Sequence, residues 1–209
     1  MRNYPDDGII QRGACSTLAR MTTGPFECAM EHHSRIALEA GCLPLIFKAM
    51  DVHRGSLPVL SNACYVLNCL SYGDENSKMM LESRAITLII AAMRTFPKSS
   101  GLLYWACSAL WVNAFSTKHG PDAVVRAGGI EQCIFVADSS TDPAIIEQAC
   151  FVLAEISKQS RHIPHLRLAG AVEIFKRSSA HLARHEYTTD VPFSSVIEIL
   201  DPSSVAPVA

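Results

Sequence analysis

Charge is scarce in this chain. Asp, Glu, Lys and Arg together make up 18% of 209 residues, and 18 cationic side chains against 20 anionic ones leave a net charge of −2. Without a basic surplus there is no electrostatic footprint for nucleic acid, and without a polybasic run there is none for anionic lipid. No apolar run approaches the ~18 residues of a membrane span, and the opening MRNYPDDGII lacks the apolar segment of a secretion signal. C-x-x-C is absent, although there are eight cysteines, several of them inside apolar helical patterns. That usage fits reduced thiols in a cytoplasmic compartment. G-x-S-x-G, G-x-x-x-x-G-K-[ST], G-x-G-x-x-G and H-E-x-x-H are all missing, so no common nucleophile elbow, phosphate cradle or zincin helix is present. No segment sustains strand alternation. What the chain does have is apolar bulk, 49% of its residues, enough for one domain or one compact array with its own core.

That bulk is periodic. GACSTLARM at Gly13, NACYVLNCL at Asn62, WACSALWVN at Trp105 and QACFVLAEI at Gln148 share one frame, Ala-Cys with a Leu three residues after the Cys. The alanines Ala14, Ala63, Ala106 and Ala149 are spaced by 49, 43 and 43 residues. A second frame precedes the last three of them: AGCLPLIFKAM at Ala40, SRAITLIIAAM at Ser83 and AGGIEQCIFVA at Ala127; AGAVEIFKRSS at Ala169 follows the last. Short amphipathic stretches, HSRIALE, NSKMMLE, PDAVVR and IPHLRL, lie ahead of these. Each unit therefore reads as a short helix, a bend at glycine or a small residue, a second helix, a polar linker and a longer third helix.

A helical repeat of 43 residues with this bend resembles the armadillo repeat of importin α and β-catenin over about residues 7–200. The resemblance implies an all-α fold, a right-handed α-α superhelix. It divides 1–209 into a partial repeat at 7–21, full repeats at 32–72, 75–116 and 119–159, a capping repeat at 162–200 and a flexible tail at 201–209. In the last repeat Pro192 takes the alanine place, so the closing helix is expected to start late. The longer first step places an insertion at 22–33, TTGPFECAMEHH, expected as a loop that includes His32 and His33.

At 100° per residue, Ala and the Leu four places on share an inward stripe, and the Cys beside the Ala sits at the shoulder between repeats. Equivalent cysteines would then lie about 10 Å apart, the helix packing distance, whereas zinc needs its sulfurs at about 2.3 Å. Cys15, Cys64, Cys107 and Cys150 are thus expected as core. His181 and His185, four apart, find no third metal ligand at a suggestive spacing. No catalytic residue, cofactor or metal is expected.

The arc opposite the Ala/Leu stripe holds Arg12, Ser16 and Arg20 in the first long helix. In the second it holds Ser61, Asn62, Tyr65, Asn68, Cys69 and Tyr72; the third has Tyr104, Trp105, Ser108, Trp111, Val112 and Phe115, and the fourth Glu147, Gln148, Phe151, Ala154, Glu155 and Lys158. The armadillo resemblance implies that this arc lines a concave groove. Aromatic rings on such a face mark an interaction site. The candidate binding residues are Asn62, Tyr65, Asn68, Trp105, Ser108, Trp111, Gln148, Phe151 and Glu155, with the carboxamides bonding an extended backbone. The opposing reading packs the rings into the seams between repeats. Importin α carries Trp and Asn two and six places after the repeat alanine. Here those places read Ser16/Arg20, Tyr65/Cys69, Ser108/Val112 and Phe151/Glu155, so a basic nuclear-localisation peptide is not the implied ligand. The groove is not basic beyond its first helix either, unlike that of β-catenin. The expected function is a non-catalytic scaffold for a protein or extended peptide, with no nucleic acid and no membrane as partner. The alternatives weighed are a homodimer through the same surface, a module of a larger assembly that caps the first helix, and a small enzyme on a helical scaffold.

Overall fold

The computed structural model describes residues 1–23 and 27–204. Over these the chain forms thirteen α-helices and no strand: α1 (Gly8–Thr22), α2 (Glu27–Glu39), α3 (Cys42–Val52), α4 (Leu57–Leu70), α5 (Asp74–Glu82), α6 (Ala85–Thr95), α7 (Ser100–Phe115), α8 (Gly120–Arg126), α9 (Gly129–Ser139), α10 (Pro143–Ser157), α11 (Ile163–Leu168), α12 (Ala171–Arg184) and α13 (Phe193–Leu200). After α1 they run in triplets, each closing on a helix that packs beside the one before it. Thus α1, α4, α7 and α10 form one layer, with α3, α6 and α9 behind. None of the described helices is long and apolar enough to cross a membrane.

Local chemistry sets the boundaries. Asp7 caps α1 by accepting from the Ile9 and Ile10 amides at 2.9 and 3.0 Å, and Asp142 accepts from the Ala144 amide ahead of Pro143. Three of the tight bends between first and second helices use glycine in the left-handed region, Gly41, Gly128 and Gly170. The fourth has no glycine. There Arg84 stays in the ordinary region and the Ser83 hydroxyl accepts from the Ala85 amide instead.

The core follows the repeat. Cys64, Cys107 and Cys150 are inaccessible, as are Ala63/Leu67, Ala106/Leu110 and Ala149/Leu153 on the inward stripe. In α1 the stripe is rotated from the expected one. Cys15, Ala19 and Thr22 are buried on the helix that packs along α4, and Gln11 is buried with its amide donating to the Met1 and Tyr4 carbonyls, while Ala14 and Leu18 are only half-buried. Polar links tie successive triplets, Asn113 Nδ2 donating to Ser71 Oγ at 2.8 Å and Asn76 Nδ2 to the Glu31 carbonyl at 3.1 Å, while within one triplet the Ser34 hydroxyl donates to the Cys69 carbonyl at 2.8 Å. Asp122 accepts from Arg161 and pairs with His162, both at 2.8 Å.

Two expectations are corrected. The segment read as a loop at 22–33 is helical from Glu27 onward, so His32 and His33 lie exposed on α2, and residues 24–26 lie outside the described residues. Ser34 and Leu38 are the buried edge of that helix, and they repeat at the spacing of one turn, which carries the two added turns with them. The tail read as flexible begins with a 3-10 turn at Pro202–Ser204 packed on α13, where Arg167 Nε donates to the Leu200 carbonyl. Residues 205–209 lie outside the described residues. As expected, α13 starts late, one residue after Pro192.

Candidate functional site

In α7 both tryptophans lie on the face turned away from the short helices, and they lean to opposite sides. Trp105 precedes Ala106 and points toward α4, where its ring meets Tyr65 at 4.3 Å between centroids. Tyr104 stands edge-on to Trp105 at 5.0 Å. Trp111, six residues on, has turned to the other seam and stacks on Phe151 of α10 at 5.1 Å, with Phe115 at 6.0 Å. Offsets of this kind suit the quadrupoles of aromatic rings and add about 1 kcal/mol per pair beyond area burial. Tyr65, Tyr104, Trp105, Trp111 and Phe151 are half-buried, and Phe115 is 62% exposed with the Lys158 ammonium 5.8 Å from its ring centre. Each ring pair therefore bridges a seam and also presents a face to solvent. The two readings of the rings describe one arrangement.

The polar candidates divide. Ser108 sits one turn from each tryptophan, midway between the ring pairs, and is only 8% exposed. A small side chain between two overhanging indoles is shaded by them. Asn68 is 4% exposed, because Val66 to Ser71 are buried throughout where α1, α2, α5 and α7 enclose the end of α4. Both were expected on an open arc, and the structure corrects that. Asn62 is half-buried, but its amide donates to the Pro58 carbonyl of its own helix at 2.8 Å, so that donor is already used. The oxygens Asn68 Oδ1 and Gln148 Oε1 are buried without a hydrogen-bond partner, one in each helix flanking α7. A buried carbonyl oxygen left unpaired costs about 1–3 kcal/mol.

Charge is distributed unevenly along this face. Arg12 and Arg20 on α1 are exposed and form no ion pair among the described residues. On α10, Glu147 accepts from the Tyr187 hydroxyl at 3.0 Å and Glu155 pairs with Lys158 at 2.6 Å. Burial pushes the Tyr65 hydroxyl above its usual range and the neighbouring Cys69 thiol adds to this, while Thr23 and the Arg20 guanidinium oppose. Tyr187 is raised by burial and by its bond to Glu147.

Elsewhere the chemistry is sparse. The His181 and His185 rings lie 4.5 Å apart and His181 Nε2 is 3.2 Å from the Thr141 carbonyl, but no group of three or more His, Cys, Asp or Glu among the described residues is placed to hold a metal. Burial raises the thiols of Cys15, Cys64 and Cys150 to about 12 and those of Cys42 and Cys69 to about 11, which leaves them poor nucleophiles. Missing from the sequence reading was the pairing of rings across seams, which needs the register between repeats. The offset of six residues between the tryptophans was its visible trace.

No protein-family model matches the sequence, and no curated protein matches it. Solved structures do. An engineered protein superposes with a TM-score of 0.76 at 20% identity, covering 94% of this chain and 77% of that one. A designed armadillo repeat protein gives 0.68 at 17% identity, covering 90% and 83%. A further designed armadillo repeat protein, in complex with the peptide (KR)4, gives 0.65 at 15% identity, covering 88% and 86%. At such identities the likeness speaks to the fold alone, and the fold is an armadillo-like α-solenoid.

Proposed function

We propose that this chain is a non-catalytic scaffold that binds an extended segment of a partner protein along the concave groove formed by α4, α7 and α10. One observation carries the reading: two ring pairs straddle α7, half-buried in the seams to α4 and α10. Rigid rings anchor a ligand at low entropic cost. The likeness to a designed armadillo protein that holds a peptide supports this use of the fold. Phe151 and Glu155 close the site on the α10 side, Tyr65 and Asn62 on the α4 side, and Ser108 forms its floor. Seven cysteines among the described residues are buried and unpaired, which supports a reducing compartment.

The test is selection of a displayed random decapeptide library against the wild type and against Trp105→Ala/Trp111→Ala, with helicity and melting compared first. Sequences enriched by the wild type and lost by a folded variant are the expected result. If the double variant melts far below the wild type, Phe115→Ala, which removes an exposed ring, takes its place. No enrichment, or enrichment indifferent to these rings, overturns the proposal. A mass that rises with concentration and falls in the ring variants would put a second copy of the chain in the groove instead.

A further inference from the structure

The groove carries opposite charge at its two ends. On α1 the arc holds Arg12 and Arg20 and no carboxylate; on α7 it holds rings and Ser108 and no charge; on α10 it holds Glu147 and Glu155 with Lys158. The ends differ in how free these charges are. Arg12 shares an open depression of about 820 Å³ with Asp6 and Asp7, so its charge is partly offset nearby. Arg20 has no carboxylate partner among the described residues. Its carbonyl accepts from the Thr23 hydroxyl at 2.9 Å, and its helix packs along α4, which carries Tyr65 of the first ring cluster. At the other end Glu147 has one donor, Tyr187, and the Glu155 side chain is only 14% exposed with one donor, Lys158.

We propose, building on the peptide-binding reading, that the groove recognises a bipolar segment. An acidic side chain lies over α1 beside Arg20, bulky apolar side chains lie over α7 between the two ring clusters, and a basic side chain lies over α10 beside Glu147 and Glu155. Complementary charge at the two ends fixes the register of the segment and rejects the reversed order, because each reversed end meets like charge. The uncharged centre leaves affinity to the rings. Long-helix axes in adjacent repeats lie about 8–10 Å apart, so α1 to α10 span roughly 25–30 Å, which eight or nine extended residues cover at about 3.3 Å each. A segment of uniform positive charge fits poorly, since its α1 end faces Arg20 and Arg12.

The experiment compares decapeptides selected by the wild type with those selected by Arg20→Glu, an exposed change that leaves the core intact. The wild-type consensus is expected to carry Asp or Glu on one flank of an apolar pair and Lys or Arg on the other. Arg20→Glu is expected to lose the acidic preference, to bind the wild-type consensus peptide about fivefold or more weakly, and to keep the apolar pair. Enriched peptides that depend on the tryptophans but show no acid on either flank, or the same acid with Arg20→Glu, overturn the bipolar reading and leave the peptide groove standing. Peptides bound independently of the tryptophans overturn the groove itself. Loss of affinity for the consensus with rising salt in the wild type, absent in Arg20→Glu, is the matching readout in solution.

Discussion

Raising the pH from 8 to 10 should strongly destabilise this protein, and the buried cysteines give the size of the effect. Six thiols, Cys15, Cys42, Cys64, Cys69, Cys107 and Cys150, are held well above their usual value of 9.0, chiefly by burial in five of them and in Cys107 by the hydrogen bond its thiol makes to Cys133 together with burial. Below pH 9 both folded and unfolded chains keep these protons, so stability is complete. Above it the unfolded chain releases protons that the folded chain retains, and stability is lost as the pH climbs toward the folded values of about 11 and 12. At pH 10 each unfolded thiol gains about 1.4 kcal/mol by ionising, so the six together remove about 8 kcal/mol. Domains of this size have roughly 5–15 kcal/mol in all. Urea unfolding followed by circular dichroism at pH 8, 9, 9.5 and 10, with a phosphine reductant present, measures this directly. Cys64→Ala and Cys150→Ala each lower stability at pH 8 but should each remove about 1.4 kcal/mol of the pH-dependent part. A loss below about 2 kcal/mol between pH 8 and pH 10 would mean that the thiols titrate in the folded chain. The cysteines would then not be core, and the packing of the repeats built on them would be wrong.

Glycine substitutions should split by sign. A Cβ at Gly120 would stand 2.0 Å from the Asn113 carbonyl oxygen and 2.8 Å from Ala114 Cα, so Gly120→Ala should cost roughly 2–4 kcal/mol. Gly13→Ala, in an open stretch of α1 where a Cβ meets nothing within 4 Å, should gain about 0.5–1 kcal/mol; the difference in urea midpoints checks both. Asn113→Ala should cost about 2–3 kcal/mol, because it removes the donor to Ser71 and to the Ala109 carbonyl in a fully buried site. If Asn113→Ala unfolds at the wild-type midpoint, the link between triplets is dispensable.

The repeat made most of the fold legible. Ala-Cys with its spaced Leu fixed the long helices because both places are filled by small or branched apolar groups wherever helices stack, and that demand recurs each 43 residues. It was least informative at the first repeat. There Ala14 and Leu18 keep the motif while their neighbours differ, and Gly-Pro suggested a loop that begins helical structure at Glu27. The candidate site was legible as residue types but not as partners. Trp105 and Trp111 announced a ring-bearing face, whereas the burial of Asn68 and Ser108 depends on which side chains overhang them, a property of the register between helices and not of one helix alone.

That register also explains why the rings cannot be assigned to stability or to recognition alone. A ring wholly inside a seam could not touch a ligand, and a ring wholly outside would have no fixed orientation and would lose rotamer entropy on binding. Stacking Tyr65 on Trp105 and Phe151 on Trp111 locks one face of each pair against a neighbouring repeat and leaves the rest half-exposed, where the proposed segment would meet it. The ordering cost is then met during folding. The same coupling means that a segment bound across both pairs touches α4, α7 and α10 at once, so that occupancy should stiffen the seams it spans. Slower hydrogen exchange would appear in all three long helices together, including Val66 to Leu70, which no ligand on the groove face would touch. Protection confined to α7 would instead mean that its two tryptophans act as separate contacts.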